Sequence, residues 1–194
     1  WDLTNKTYTK YTVVNGLPSD MVNDVAVDNL GRVWVATDKG LSKLDGSTWT
    51  NYVPVLPTEF SGNQTCEEVQ EIAITTANKI WFTCYMKNVF EYGPQGVTLF
   101  DPIANTWTTY KEYNSAIPDN DIRSMALDTI GNLWVGTLYG DIGEFNGTSW
   151  TTFSDKNGDD SEIWAIAVDG ANRKWFNSYA PNGYQVVTYD STWH

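Results

Sequence analysis

Histidine is nearly absent from this chain. The single copy, His194, is the last of 194 residues. That excludes a histidine triad, or a histidine-rich metal site, inside the fold. Cationic side chains are also scarce: 12 Lys and Arg stand against 24 Asp and Glu, for a net charge of −12. Nucleic acid and anionic membrane both need a basic partner surface, so the balance disfavours them. No apolar run approaches the ~20 residues of a membrane-spanning helix. No Gly-rich phosphate loop is present, no cofactor-binding pattern stands out, and no stretch sustains the apolar spacing of an amphipathic helix. The chain opens on Trp1 without a leader-like segment, as expected of a mature or trimmed product.

Tryptophan, by contrast, is plentiful and regularly placed. The stretch DNLGRVWVAT (28–37) returns as DTIGNLWVGT (128–137). It returns more loosely as TTANKIWFTC (75–84) and DGANRKWFNS (169–178). The pivots Trp34, Trp81, Trp134 and Trp175 are 47, 53 and 41 residues apart. Each is followed by a second tryptophan: Trp49, Trp107, Trp150 and Trp193. Eight of the ten tryptophans thus mark an internal repeat rather than a scattered core.

Each unit reads as four short strands rich in Val, Ile, Trp, Tyr and Thr, separated by Gly, Asn or Asp. Four-stranded units of roughly 40–45 residues define β-propeller blades. The fold class is therefore all-β, a propeller of four-stranded antiparallel blades with four blades in this chain. Sheets that are apolar on both faces bury them by stacking around an axis, and the innermost strand should be the most apolar. Ala26, Ala73, Ala126 and Ala167 hold one constant place in that strand, as a crowded inter-sheet site would require. Each pivot Trp should fill a gap between blades.

The stretch NGLPSDMVNDVAVDNLGRVWVATDKGLSKLDGSTWTNY (15–52) resembles the two-component-regulator propeller repeat, found in periplasmic sensor regions of bacterial hybrid histidine kinases and in related secreted proteins. The resemblance is strongest in the first and third units. It implies a propeller and, with the composition, a location outside the cytoplasm (periplasmic, secreted or cell-surface). It implies little about activity, because one scaffold hosts many functions.

The length fits one domain. The expected parts are a closing outer strand at 3–14 and blades at 21–53, 69–111, 122–153 and 163–194. The opening stretch TNKTYTKYT (4–12) matches a blade's outer strand, with Tyr8 at the Trp49 place and Tyr11 at the Tyr52 place. It is the natural donor to the last blade, within the chain or exchanged with another copy, and either use hides a sheet edge.

Connections into a blade and loops between its second and third strands open on one face. There YMKNVFEYGPQ (85–95) and YAPNGYQ (179–185) are inserted, after a long connection at 54–68. The face is aromatic, through Tyr85, Phe90, Tyr92, Tyr139, Tyr179 and Tyr184. The starts of the innermost strands share it and diverge in sequence: Asn23 and Asp24, Gln70 and Glu71, Arg123 and Ser124, Trp164 and Ala165. Loops on a rigid scaffold are the usual place for function. The expected ligand-binding set is Asn23, Asp24, Gln70, Glu71, Tyr85, Phe90, Tyr92, Arg123, Tyr139, Trp164, Tyr179 and Tyr184. Unselected surface would show the same variation.

Cys66 precedes the innermost strand of the second blade and Cys84 ends its neighbour. Antiparallel pairing permits a disulfide, with two buried free thiols as the alternative. Asp28, Asp128 and Asp169 precede tight turns, where carboxylates bond backbone N–H groups, and calcium ligation is the lesser reading. Asp24 and Glu71 occupy equivalent places on adjacent inner strands, so a glycosidase-like carboxylate pair is conceivable. Streptogramin lyases share a similar repeat, but nothing here matches their histidine base.

The leading expectation is a non-enzymatic sensor-like module that binds a small molecule such as a glycan, without cofactor or metal. A structural or adhesive assembly subunit, homo-oligomeric through its opening strand, is the alternative. A lyase or glycosidase-type propeller is a distant third.

Overall fold

The structure, a computed structural model, describes residues 4, 7–57, 63–87, 92–153, 162–180 and 183–192. Three four-stranded antiparallel sheets follow one another. The first holds β1 (Val22–Val27), β2 (Val33–Thr37), β3 (Gly40–Asp45) and β4 (Thr48–Tyr52). A hairpin of β5 (Val55–Pro57) and β6 (Asn63–Thr65) leads to β7 (Glu68–Ile74), β8 (Ile80–Lys87), β9 (Tyr92–Asp101) and β10 (Thr106–Tyr110). The third holds β11 (Ile122–Leu127), β12 (Leu133–Thr137), β13 (Ile142–Phe145) and β14 (Trp150–Phe153). The fourth holds three strands among the described residues: β15 (Ile166–Val168), β16 (Lys174–Ala180) and β17 (Gly183–Tyr189). The fold is that of propeller blades. Successive first strands line the axis, β1 beside β7, β7 beside β11 and β11 beside β15. Among the described residues, no comparable packing joins the fourth sheet to the first.

The pivots sit where the repeat requires. Trp34 joins the cluster between sheets one and two, Trp81 that between two and three, and Trp134 that between three and four. Each pivot pairs across strands with the constant alanine: Ala26 with Trp34, Ala73 with Trp81, Ala126 with Trp134 and Ala167 with Trp175. A larger side chain there would occupy the space of the indole. Trp175 differs from the other three, being only half-buried.

The turn aspartates hold these indoles. Asp28 Oδ1 accepts the N–H groups of Leu30 and Arg32, each at 3.0 Å. Its Oδ2 accepts the Trp34 indole N–H at 3.0 Å and Arg32 Nε at 2.6 Å. Asp128 repeats this with Ile130, Asn132 and Trp134, and adds Lys174 of the next sheet at 3.2 Å. Asp169 does the same with Ala171, Arg173 and Trp175. Burial pushes the Asp28 carboxyl up, but the donors from Trp34 and Arg32 outweigh it and hold it below its usual range. Asp169 is held far below that range, chiefly by the Trp175 indole. In the second sheet Thr75 takes this place, and its hydroxyl accepts the Lys79 N–H at 3.0 Å.

Three expectations change. The second strands, not the innermost, are the most buried: β12 is buried throughout, whereas β1 and β15 are half-buried or exposed. A first strand pairs along one edge only and turns the other to the axis, while a second strand is paired on both edges. The insertion at 85–95 is no loop hung on the blade. It extends the β8–β9 hairpin, with Tyr85 opposite Pro94 and Lys87 opposite Tyr92. The stretch 179–185 likewise lengthens β16–β17 to the pair Ala180–Gly183. The connection at 54–68 is partly ordered by β5–β6, and Leu56 and Cys66 enter the first inter-sheet cluster.

Cys66 and Cys84 form a disulfide, with Cα atoms 6.0 Å apart. The opening segment carries one bridge residue, Thr7, and a short 3₁₀ turn at Val13–Asn15. It lies against the first sheet, where Tyr11 meets Trp49 edge-on at 5.6 Å.

Candidate binding face

The starts of the innermost strands come together around the axis. Bulges between Val22 and Asp24, Val69 and Ile72, and Ile122 and Ser124 interrupt the ladders there and free backbone groups. Neighbouring sheets supply the partners. Asp24 Oδ2 accepts the N–H of Ile72 at 2.8 Å, and its Oδ1 accepts its neighbour Val25 at 2.7 Å. Asn23 donates to the Val69 carbonyl at 2.7 Å, and Ser124 to the Ile163 carbonyl at 3.0 Å. Glu71 accepts the backbone N–H of Met125. These side chains stitch each sheet to the next.

Glu71 has an unusual electrostatic position. Burial, and then the charge of nearby Asp24, push its carboxyl up to about 7 against the relief of the Met125 hydrogen bond. The Asp24 and Glu71 carboxylates are therefore coupled, but both Asp24 oxygens already accept backbone N–H groups.

At the third and fourth sheets the chemistry opens outward. Arg123 Nη2 donates to Asp121 Oδ2 at 2.9 Å, and its Nε lies at ion-pair distance from Oδ1, also 2.9 Å. Its guanidinium also lies 4.9 Å from the ring centre of Trp164. The Trp164 indole N–H donates to Glu162 at 2.5 Å, and the side chain is 49% exposed. Asp119 accepts the Asp121 N–H at 2.7 Å. Tyr139 follows Leu138, whose N–H bonds the Asp121 carbonyl at 3.0 Å, and its ring is exposed. Burial pushes the Asp121 carboxyl up, Arg123 opposes this, and Asp119 and Glu162 add to it, leaving it above its ordinary value. The result is an exposed, orientated indole with carboxylates around it.

Of the residues expected here, Arg123, Tyr139 and Trp164 sit on this open part. Asn23, Asp24 and Glu71 make inter-sheet bonds. Gln70 bonds Glu68 at 3.4 Å, and half-buried Tyr85 pairs across strands with Glu68. Phe90 lies outside the described residues. Tyr92, Tyr179 and Tyr184 lie on β9, β16 and β17, and their side chains are outside what is described. Sequence reasoning missed Asp119, Asp121 and Glu162. The acidic doublet two and four residues ahead of Arg123 was the available signal. Among the described residues no group of three His, Cys, Asp or Glu is placed to hold a metal ion.

Fold and face together define a β-propeller segment whose axial rim is partly exposed at Tyr139 and Trp164. Residues 16–39 and 116–139 match the model of the family described as two component regulator propeller, at the two units where the repeated motif is strongest. No curated protein matches the chain. Among solved structures, the chain is similar to the extracellular domain of a protein described as a hybrid two-component system, BT3049 from B. thetaiotaomicron. The TM-score is 0.68 at 22% identity, covering 92% of this chain and 23% of that one. It is similar to PorZ, a bacterial surface component of the type-IX secretion system of Porphyromonas gingivalis, with a TM-score of 0.62 at 16% identity over 93% and 28% of the two chains. Virginiamycin B lyase from Staphylococcus aureus gives 0.61 at 17% identity over 87% and 55%. The chain thus spans less than a third of the first two and about half of the lyase. At these identities the likeness shows the fold.

Proposed function

We propose that this chain is a non-enzymatic, extracytoplasmic propeller module that presents the face at the third and fourth sheets to a carbohydrate. The observation that carries this reading is Trp164, half exposed yet fixed by Arg123 and Glu162. An indole held in place stacks on the C–H face of a sugar with little loss of entropy. Asp121, Glu162 and Asp119 then accept hydroxyl donors. The net charge of −12 favours neutral or cationic glycans over anionic ones.

The extracytoplasmic location is supported by the Cys66–Cys84 disulfide, which persists in an oxidising compartment. It is supported also by the extracellular and surface placement of the similar proteins. A lyase reading finds no support in the described residues: the chain's only histidine is His194, outside them. Among the described residues no helix is long and apolar enough to cross a membrane.

Isothermal titration against a panel of neutral oligosaccharides tests the reading. Binding should appear with at least one of them and fall roughly tenfold or more in Trp164→Ala. Absence of heat across the panel at millimolar sugar would overturn it.

A further inference from the structure

The carboxylates around Trp164 outnumber the cations that could balance them. Asp119, Asp121 and Glu162 share one guanidinium, that of Arg123, and Asp121 takes it. Asp119 and Glu162 are half-buried and have no ion-pair partner among the described residues. Each has one oxygen engaged: Asp119 Oδ1 accepts the Asp121 N–H at 2.7 Å, and Glu162 Oε2 accepts the Trp164 indole N–H at 2.5 Å. Among the described residues, nothing donates to Asp119 Oδ2 or Glu162 Oε1. Both carboxylates lie close enough to Asp121 for their charges to add to the burial that pushes its carboxyl up.

Stacking of the sheets does not require this excess. At the junction of the first and second sheets, Ser19, Met21 and Asn23 stand at the places of Asp119, Asp121 and Arg123. Gln70 stands at the place of Trp164. The acid that matches Glu162 is Glu68, and Lys87 pairs with it. That junction buries a larger core than the one beneath Trp164, with its rim charge balanced. Like charges held together in a half-buried place oppose their own ionisation. The third and fourth sheets therefore carry a negative charge that the frame does not use and no described residue balances.

The indole in the middle of these acids points to what brings the balancing charge. Trp164 is 49% exposed, it is held by Glu162, and the Arg123 guanidinium already lies 4.9 Å from its ring centre. An indole offers an apolar surface to a sugar ring and a negative π-face to a cation. We propose that the ligand of this face is an amino sugar whose amine is free and protonated. Its pyranose ring stacks on Trp164, and its ammonium is received among Asp119, Asp121 and Glu162. This rests on the carbohydrate reading of the same face and names the class of sugar. An ammonium carries three donors and one positive charge to carboxylate oxygens that lack both. N-acetylation of the amine, or a hydroxyl in its place, keeps the ring and removes the charge. A polyamine supplies the charge without the ring.

Isothermal titration compares β-1,4-linked glucosamine oligomers with their N-acetylated counterparts and with cello-oligosaccharides of the same length. At about pH 6 the free amines are protonated. The glucosamine oligomer should bind roughly tenfold or more tightly than either counterpart. Asp119→Asn combined with Glu162→Gln keeps an acceptor oxygen at each place and removes both charges, and should bring that ratio close to one. Reading the ratio within each protein cancels any general loss of fit. Trp164→Ala should weaken the glucosamine oligomer by roughly tenfold, and spermidine should bind more weakly than the sugar. Equal affinities for the three sugars, or heat only from neutral members of the wider panel, overturn the amino sugar and leave the carbohydrate reading standing. No heat from any sugar overturns both. A ratio unchanged in the double variant, or spermidine binding as tightly as the sugar, overturns the proposal by assigning the attraction to the acidic surface as a whole.

Discussion

Glu71→Gln keeps the shape of the side chain and its capacity to accept the Met125 N–H, and removes only the charge. Raising a carboxyl from 4.5 to about 7 corresponds to about 3 kcal/mol of preference for the neutral form in the folded protein. The sign follows from linkage. The folded chain holds this proton more tightly than the unfolded chain, so stability is lost as pH rises from about 4.5 to about 7 and stays lost above. Glutamine carries no such penalty. The substituted protein should match the wild type near pH 4 and exceed it by up to about 3 kcal/mol near pH 8, an upper figure because water relaxation softens buried charge. Urea unfolding followed by tryptophan fluorescence at a series of pH values measures the difference directly. Titration of the carboxylates remote from Glu71 cancels between the two proteins. An unchanged stability difference across that range would show that Glu71 ionises as an ordinary surface acid, and the inter-sheet role given to it would fail.

The turn carboxylates should respond in the opposite sense. Burial raises the Asp128 carboxyl, but Asn132, Trp134 and Lys174 hold it below its usual range, so its contribution is present above about pH 4 and lost as acid protonates it. Asp128→Asn sets an amide N–H₂ against the Trp134 indole N–H and the Lys174 ammonium. Breaking such a buried pair costs about 3–5 kcal/mol, and a lowered urea midpoint, partly restored by adding Lys174→Met, checks it. The Cys66–Cys84 bridge closes a separation of 18 residues, so replacing both with Ser should cost about 3 kcal/mol in the chain-entropy picture. Equal unfolding midpoints with and without reductant would contradict that.

Much of this was visible in the chain itself. The Trp pivots, the constant alanines, the turn aspartates and the position of Cys66 against Cys84 all follow from strand period and turn chemistry, which act over a few residues. The second oxygen of each turn aspartate was less visible. That Asp28 reaches Trp34, six positions on, depends on the strand folding back beside its turn. Asp24 and Glu71 looked like rim residues free to vary. In the folded chain they hold backbone N–H groups roughly fifty residues away.

Period and composition alone therefore determine that this chain is a series of tryptophan-pivoted antiparallel sheets, because those signals are local and repeated four times. Which polar residues bind sheet to sheet, and which are left facing outward around Trp164, is decided only when the sheets stack. The bulges then set the backbone groups of one blade against the side chains of the next, and no local pattern encodes that register.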